Sequence, residues 1–306
     1  MKHEKALAFD ANDAYFLDKE LVAMQQEAFE TLRSPFNSEI LIPMYTDDPE
    51  GANYHEYALY DQTGAADYAS DADNTFPVAN ATRENVLRKY VTKGISTLMT
   101  FQDTRASRMA LLNMAQDKFN SALRAIRFAQ NDMAFFGSPA HGIDGWLNAA
   151  GVEKDPVNGA PWSVGGVNKD PDAILQDMDD CVNRSLIATD GAVRVNRLVM
   201  PIAQYAYINS TPRSAGTDTT ILQYFLMNHP DIDVFWANEL KGAFPGGTDG
   251  MIAYEYNPSW FKNLVSIDFF ARPTLNVENG FKTLYETRMG GVIVVYPESQ
   301  TFRYGI

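Results

Sequence analysis

Four histidines, one cysteine and two acidic clusters are the residues with the most obvious chemical potential in this 306-residue chain. His3, His55, His141 and His229 are far apart, and none has a second histidine at helical or hairpin spacing. A zinc site or a serine triad therefore has no local footing. His141, between Pro139 and Gly142, is the best catalytic candidate, with loop hydrogen bonding as the plainer alternative. TDDPE at 46–50 and SDADN at 70–74 could offer calcium several oxygens, but neither carries the full ligand frame of a calcium loop. Cys181 lies within a helical pattern, where a small buried side chain is a better reading than a nucleophile. No glycine-rich phosphate loop, dinucleotide fingerprint or nucleophile elbow is present, and GGTDG at 246–250 reads as a turn before a strand. The expected tally of catalytic, cofactor-binding and metal-ligating residues is none.

The charge balance narrows the partners. Twenty-five basic against 39 acidic residues leave a formal net charge of -14, and the lysines and arginines lie singly. A protein that grips nucleic acid through its own surface shows a basic patch, so an acidic chain is expected either to stay merely soluble or to tolerate nucleic acid without adhering to it. Charges interrupt the first twenty residues, and no run approaches the ~18 apolar residues of a membrane span. One cysteine cannot form an intrachain disulfide, which fits a reducing aqueous compartment.

The elements that would position these residues follow from periodicity. Leu21, Met24, Ala28 and Leu32 recur at helical spacing and predict a helix over about 17–32 with one apolar edge, followed by a short strand at Ile40–Ile42. From Asn53 to about 92, two alternating segments flank a polar, acidic tip, the pattern of a long hairpin with too little apolar surface to pack on its own domain. Between Asp103 and Phe136, Leu112, Ala115, Phe119, Ala122, Ile126, Ala129 and Met133 keep a three–four spacing. That predicts a helix of about 33 residues, capped by Asp103 or Thr104, whose small alanines suit a sheet packed along it, with a coiled coil as the alternative. After Asp170 come a helix with Ile174, Met178, Cys181, Val182 and Leu186 inward, a buried strand RLVMPIAQYAYI and a short amphipathic helix TILQYFL. The strands DVFWANEL and MIAYEYN follow. The closing segment predicts strands near Phe269, over 281–287 and over 292–296, with Gly290 and Gly291 turning the last one in.

One loop stands out. FFGSPAHGIDGWLN, 135–148, combines helix-ending glycines, a proline, a tryptophan and an asparagine within fourteen residues. Such a loop suits an active-site lid, a ligand clamp or a docking corner. With no catalytic partners nearby in sequence, a corner is the better reading, Trp146 and Leu147 anchoring it against their own domain or the next subunit.

In order, the arm, the polar hairpin, the long helix, the loop carrying Asn131, Asp132, Phe136, Gly137, Gly142, Ile143, Gly145, Leu147 and Asn148, the α/β insertion and the closing Arg288, Gly290, Gly291, Val292, Tyr296 and Pro297 resemble the major capsid proteins of tailed bacteriophages, the Hong Kong-type fold shared with encapsulins. The resemblance implies an α+β fold with an N-terminal arm at 1–51 reaching an adjacent subunit and an E-loop at 52–92 lying over a neighbour. It further implies a P-domain at 93–160 with the long spine helix, an A-domain at 161–261 and returning P-domain strands at 262–306. It also implies hexamers and pentamers of an icosahedral shell around double-stranded DNA, with scaffolding, portal and decoration or cement proteins as partners, and assembly in the host bacterial cytoplasm before residence in the virion. Tyr57, Tyr60, Tyr68, Phe76, Trp146, Leu147 and Arg288 are the expected intersubunit contacts. The family's Lys–Asn crosslink needs a lysine on the hairpin tip, and 61–82 contain none, so a non-covalent shell is expected. An encapsulin-type shell around a cargo enzyme, and a small hydrolase using the acidic loops, are the competing readings.

Overall fold

The structure is a computed structural model, and it describes residues 34–63, 80–110, 114–164, 167–214, 216 and 218–306. The expected 17–32 helix, Leu112, and the hairpin tip with Tyr68 and Phe76 lie outside the described residues.

The described chain begins with α1 (Ser38–Leu41) and β1 (Met44–Tyr45). This corrects the strand expected at Ile40–Ile42: Leu41 and Ile42 are buried, and the Ser38 amide is capped by Asn131 Oδ1 at 3.0 Å, which favours a helical turn there. The hairpin pairs β2 (Tyr54–Thr63) with β3 (Asn80–Lys89) in unbroken antiparallel register from Tyr54↔Lys89 to Thr63↔Asn80. β4 (Val91–Thr100) leads into α2 (Phe101–Ala110) and α3 (Met114–Phe136). The expected single helix is thus described as two, with 111–113 outside the described residues. Its cap sits earlier than expected: Thr100 Oγ1 accepts from the Asp103 amide, and the Asp103 carboxylate accepts from the Thr100 amide.

β5 (Lys154–Pro156) and a two-residue hairpin of β6 (Ser163–Val164) and β7 (Val167–Asn168) precede α4 (Pro171–Ala188). Ile174, Met178, Cys181 and Val182 point into the core as expected, whereas Leu186 is exposed. The segment read as one long strand divides at its proline. β8 is only Arg197–Met200, and α5 (Ile202–Ser210) follows Pro201, whose fixed φ and missing N–H suit a helix start. α6 (Ile221–Asn228) is closed by a Thr220–Gln223 capping box. β9 (Asp233–Trp236) and β10 (Gly250–Tyr254) are shorter than the stretches expected to be strands.

β11 (Phe261–Ala271), β12 (Leu275–Val277), β13 (Gly280–Val294) and β14 (Gln300–Tyr304) complete the chain. The two strands expected at 281–287 and 292–296 are one strand. The glycines do not turn it in but let it bulge: Leu264 pairs with Gly291 and Val265 with Met289, leaving Gly290 unpaired.

Two five-stranded sheets organise these elements. The first runs β1-β11-β13-β12 with β4 on β13, and α3 lies along it, as the small-residue stripe suggested. Phe119 meets Phe269 and Tyr285 edge-on, while Ala122, Ile126 and Met133 are buried between helix and strands. The second sheet runs β5-β14-β10-β8-β9, covered by α4, α5 and α6 over a core that includes Cys181. β13 and β14 therefore take the closing segment from the first sheet into the second.

Candidate functional site: the corner and the hairpin root

α3 ends at the loop singled out above. Gly137 donates to Met133 O at 2.9 Å in the left-handed conformation, φ 68°. A side chain there would meet Gly145 N and Ile143 O at 2.4 Å, and one at Gly145 would meet Gly137 N at 2.3 Å. Opposite them, a Cβ on Gly291 would come within 2.4 Å of Asp144 O. Three backbones thus cross at van der Waals distance, and the Val292 amide donates to Asp144 O at 3.1 Å. The glycines are there because nothing larger fits.

Trp146 is the keystone of this corner. It has no exposed surface, lies 5.0–6.4 Å from the rings of Tyr254, Phe261, Phe135 and Phe302, and donates its indole N–H to Gln300 Oε1 at 2.8 Å. Leu147 is buried in the same cluster. This corrects the expectation that both contact a neighbouring subunit: their surfaces are already covered by their own chain. His141 is exposed and bonded to Ser138 Oγ at 2.9 Å, the loop role weighed above.

The second constellation lies at the root of the hairpin. Asp48 Oδ2 accepts from Tyr90 Oη at 2.5 Å and pairs with His55 Nδ1 at 2.6 Å. Burial pushes the Asp48 carboxyl upward, but the hydrogen bonds from Tyr90 and His55 and the His55 and Lys262 charges outweigh it, so it titrates below the ordinary carboxylate range. Burial first, then Asp48, raises the Tyr90 phenol far above its usual value. Arg288 donates to Glu50 O and to Asn53 Oδ1, both at 2.7 Å, and Arg88 reaches Asp144 Oδ2 at 2.7 Å. The last pair joins the hairpin to the corner. The terminal guanidinium nitrogens of Arg288 are therefore engaged within the chain, while the residue keeps part of its surface exposed. The hairpin is also better anchored than its composition suggested, since Tyr57 and Tyr90 pack with Leu264 and Ile293.

Along its strands the hairpin also presents large side chains to solvent. Tyr60 is 62% exposed with Arg83 over its ring at 5.5 Å, and Leu87 is 61% exposed. Of the expected contact residues within the described chain, Tyr57, Tyr60 and Arg288 retain free surface for a neighbour, Tyr60 far more of it.

A buried polar row on α3 was not foreseen from its apolar stripe. Gln130 donates to Asp268 O, Asp268 Oδ1 and Thr287 Oγ1, and Arg127 forks onto the Asp268 carboxylate at 2.7 and 3.0 Å. Asn131 joins the Ser38 amide to Glu239 Oε1. These residues tie the helix to the first sheet, to α1 and to the turn after β9. Their only sequence signal is a pair of amides where the stripe meets the loop.

Cys181 is wholly buried, and burial pushes its thiol up to about 12, so it carries no nucleophile at neutral pH. Among the described residues, no three His, Cys, Asp or Glu side chains gather in a metal-binding group, and no helix is long and apolar enough to cross a membrane. These constellations hold backbones together; neither places a nucleophile beside a base in an open cleft.

Known proteins give the comparison. A sequence profile described as Major capsid protein matches residues 64–306. Among solved structures, the capsid of Myoviridae phage XM1 superposes with a TM-score of 0.81 at 14% identity, covering 94% of this chain and 98% of that one. The capsid of an empty GTA particle gives 0.65 at 11% identity, covering 98% and 99%. A virus-like particle from Pyrococcus furiosus gives 0.54 at 9% identity, covering 86% and 89%. Curated protein sequences give no significant match.

Proposed function

The chain belongs to the major capsid protein family, and from that premise we propose that its copies close into hexamers and pentamers of an icosahedral shell around packaged double-stranded DNA. One observation carries the reading: the corner buries Trp146 and Leu147 within the subunit, while a long hairpin extends from a pinned root with Tyr60 and Leu87 in solvent. A projection braced this way, with apolar groups exposed along its described strands, is suited to lie on another copy of the chain. Many such contacts, each weak, sum to a stable particle.

In this reading 52–92 is the E-loop, with Tyr57, Tyr60, Tyr68 and Phe76 as its contacts. Residues 93–160 and 262–306 form the P-domain, and 161–261 the A-domain that meets its copies at capsomer centres. The arm at 1–51 is anchored from Ser38 onward on its own subunit, through Leu41, Ile42 and the β1–β11 pairing. The net charge of -14 suits a container whose DNA enters and leaves without phosphate contacts to hold it. Partners would be a separate scaffolding protein, a portal and decoration or cement proteins, with assembly in the host bacterial cytoplasm.

The family profile and the phage XM1 superposition support a phage shell over a nanocompartment enclosing an enzyme. Electron microscopy of purified particles, with their nucleic-acid and protein content measured, tests this: DNA-filled or DNA-competent shells are expected, and shells holding a cargo enzyme would contradict it. Denaturing electrophoresis of the same particles should give single-chain bands. A covalent ladder would overturn the non-covalent shell.

A further inference from the structure

Two asparagine–glycine pairs occur in the chain, Asn158–Gly159 and Asn279–Gly280. Such a pair is chemically labile, because a glycine nitrogen, with no side chain beside it, readily reaches the asparagine side-chain carbonyl. The reaction needs a peptide nitrogen that can shed its proton and a backbone free to turn toward the side chain. The two pairs differ in both respects.

Asn158 and Gly159 lie in a bend after β5, and both are exposed. Gly159 has φ 82°, and a side chain added there would meet nothing within 4 Å. The Lys169 ammonium donates to Asn158 O at 2.5 Å, the carbonyl of the peptide unit whose nitrogen must react. Lys169 is held in place by a buried pair with Asp177, also at 2.5 Å. A charge-assisted bond to that oxygen draws electrons from the peptide unit and stabilises the anion formed when Gly159 loses its proton. Asn279 is exposed too, but Gly280 is buried at the start of β13, paired with Val277 on β12 and Thr100 on β4. A side chain at Gly280 would lie 2.1 Å from Met99 O, and Asn279 O accepts from the neutral Phe101 amide at 3.3 Å. Turning Gly280 toward the Asn279 side chain requires opening the ladder on both sides.

We infer that Asn158 is a site of spontaneous deamidation in the folded protein, and that strand pairing protects Asn279. Gly159 N gives up its proton to hydroxide and bonds to Asn158 Cγ, closing a succinimide ring. The Cγ–Nδ2 bond breaks, and Nδ2 leaves as ammonia with a proton from water, which restores the hydroxide. Water then opens the ring at Cγ to give aspartate, or at the main-chain carbonyl to give isoaspartate. The net change is amide plus water to carboxylic acid plus ammonia. Either product adds a negative charge to a chain already at -14. Isoaspartate also inserts a methylene into the main chain directly after Val157, which is buried and donates its amide to Tyr304 O at 2.8 Å. The inference does not depend on the capsid reading.

Incubation of the full-length protein at mildly alkaline pH tests it, with peptide masses followed over time and isoaspartate resolved from aspartate by fragmentation. In the folded protein, Asn158 should convert at least about tenfold faster than Asn279, which must wait for local opening. In urea strong enough to unfold the chain, the two should convert at similar rates. Asn158 left intact in the folded protein while it converts in urea would overturn the inference, as would equal rates at the two sites in the folded protein. Asn158→Gln, a change at an exposed position, gives a second readout. The acidic band that grows on isoelectric focusing of wild type should be absent from the variant, and a band growing equally in both would place the modification elsewhere.

Discussion

At the corner, 137–148, large side chains and glycines close on one another within a single subunit, whereas the hairpin at 54–89 leaves Tyr60 and Leu87 uncovered. The two are joined by Arg88 and Asp144, so they are neighbours with opposite burdens. Aromatic residues alone therefore do not mark an interface in this fold. Trp146, the most conspicuous residue in the sequence, holds the subunit together, while the less conspicuous Tyr60 is free to hold subunits to each other.

Mutations can separate the two. The largest effect is expected at the corner. Trp146→Ala should destabilise the isolated subunit by about 3–5 kcal/mol, the cost of a large cavity together with an unpaired Gln300, read by urea unfolding. Gly145→Val, which drives a side chain onto Gly137 N, should yield little folded protein at all. Next come the buried amides: Gln130→Ala or Asn131→Ala should cost about 1–3 kcal/mol each, because Ser38, Glu239 and Thr287 lose partners. At the hairpin root the effect depends on pH. Asp48 titrates below its ordinary value in the folded state, so its contribution is present above the ordinary carboxylate range and is lost as pH falls through the lowered value. Wild type should therefore lose more stability on acidification than Asp48→Asn, compared by thermal unfolding from neutral to acidic pH. Parallel curves would remove Asp48 from the account. The smallest effect on the fold belongs to the hairpin: Tyr60→Ala should change subunit stability by less than about 0.5 kcal/mol while lowering particle yield severalfold. If Tyr60→Ala destabilises the subunit as much as Trp146→Ala does, the contrast between the regions fails.

The sequence revealed those elements whose reasons are local. The spacing of Ala122, Ile126 and Met133 announced a helix on a sheet, and the glycines of 137–145 announced a crowded turn. It did not reveal whether Trp146 faces its own core or a neighbour, because a tryptophan beside glycines suits either. Nor did it show that Arg288 reaches Asn53, a contact 235 positions away. The α5 helix was hidden because IAQYAYI carries strand-favouring residues, and only Pro201 argued for a helix start. β13 was split because two glycines read as a turn when they serve as a bulge. For Arg288 and β13 the deciding partner is far along the chain.

The central claim is that the chain is a shell subunit whose corner is internal and whose hairpin is external. Cryo-electron microscopy of the purified protein under native assembly conditions tests it most directly. The account predicts closed icosahedral particles in which density for the hairpin beyond Tyr60 lies on an adjacent subunit and Trp146 touches only its own. Monomers or small oligomers under those conditions, or particles in which the hairpin folds back on its own subunit, would contradict it.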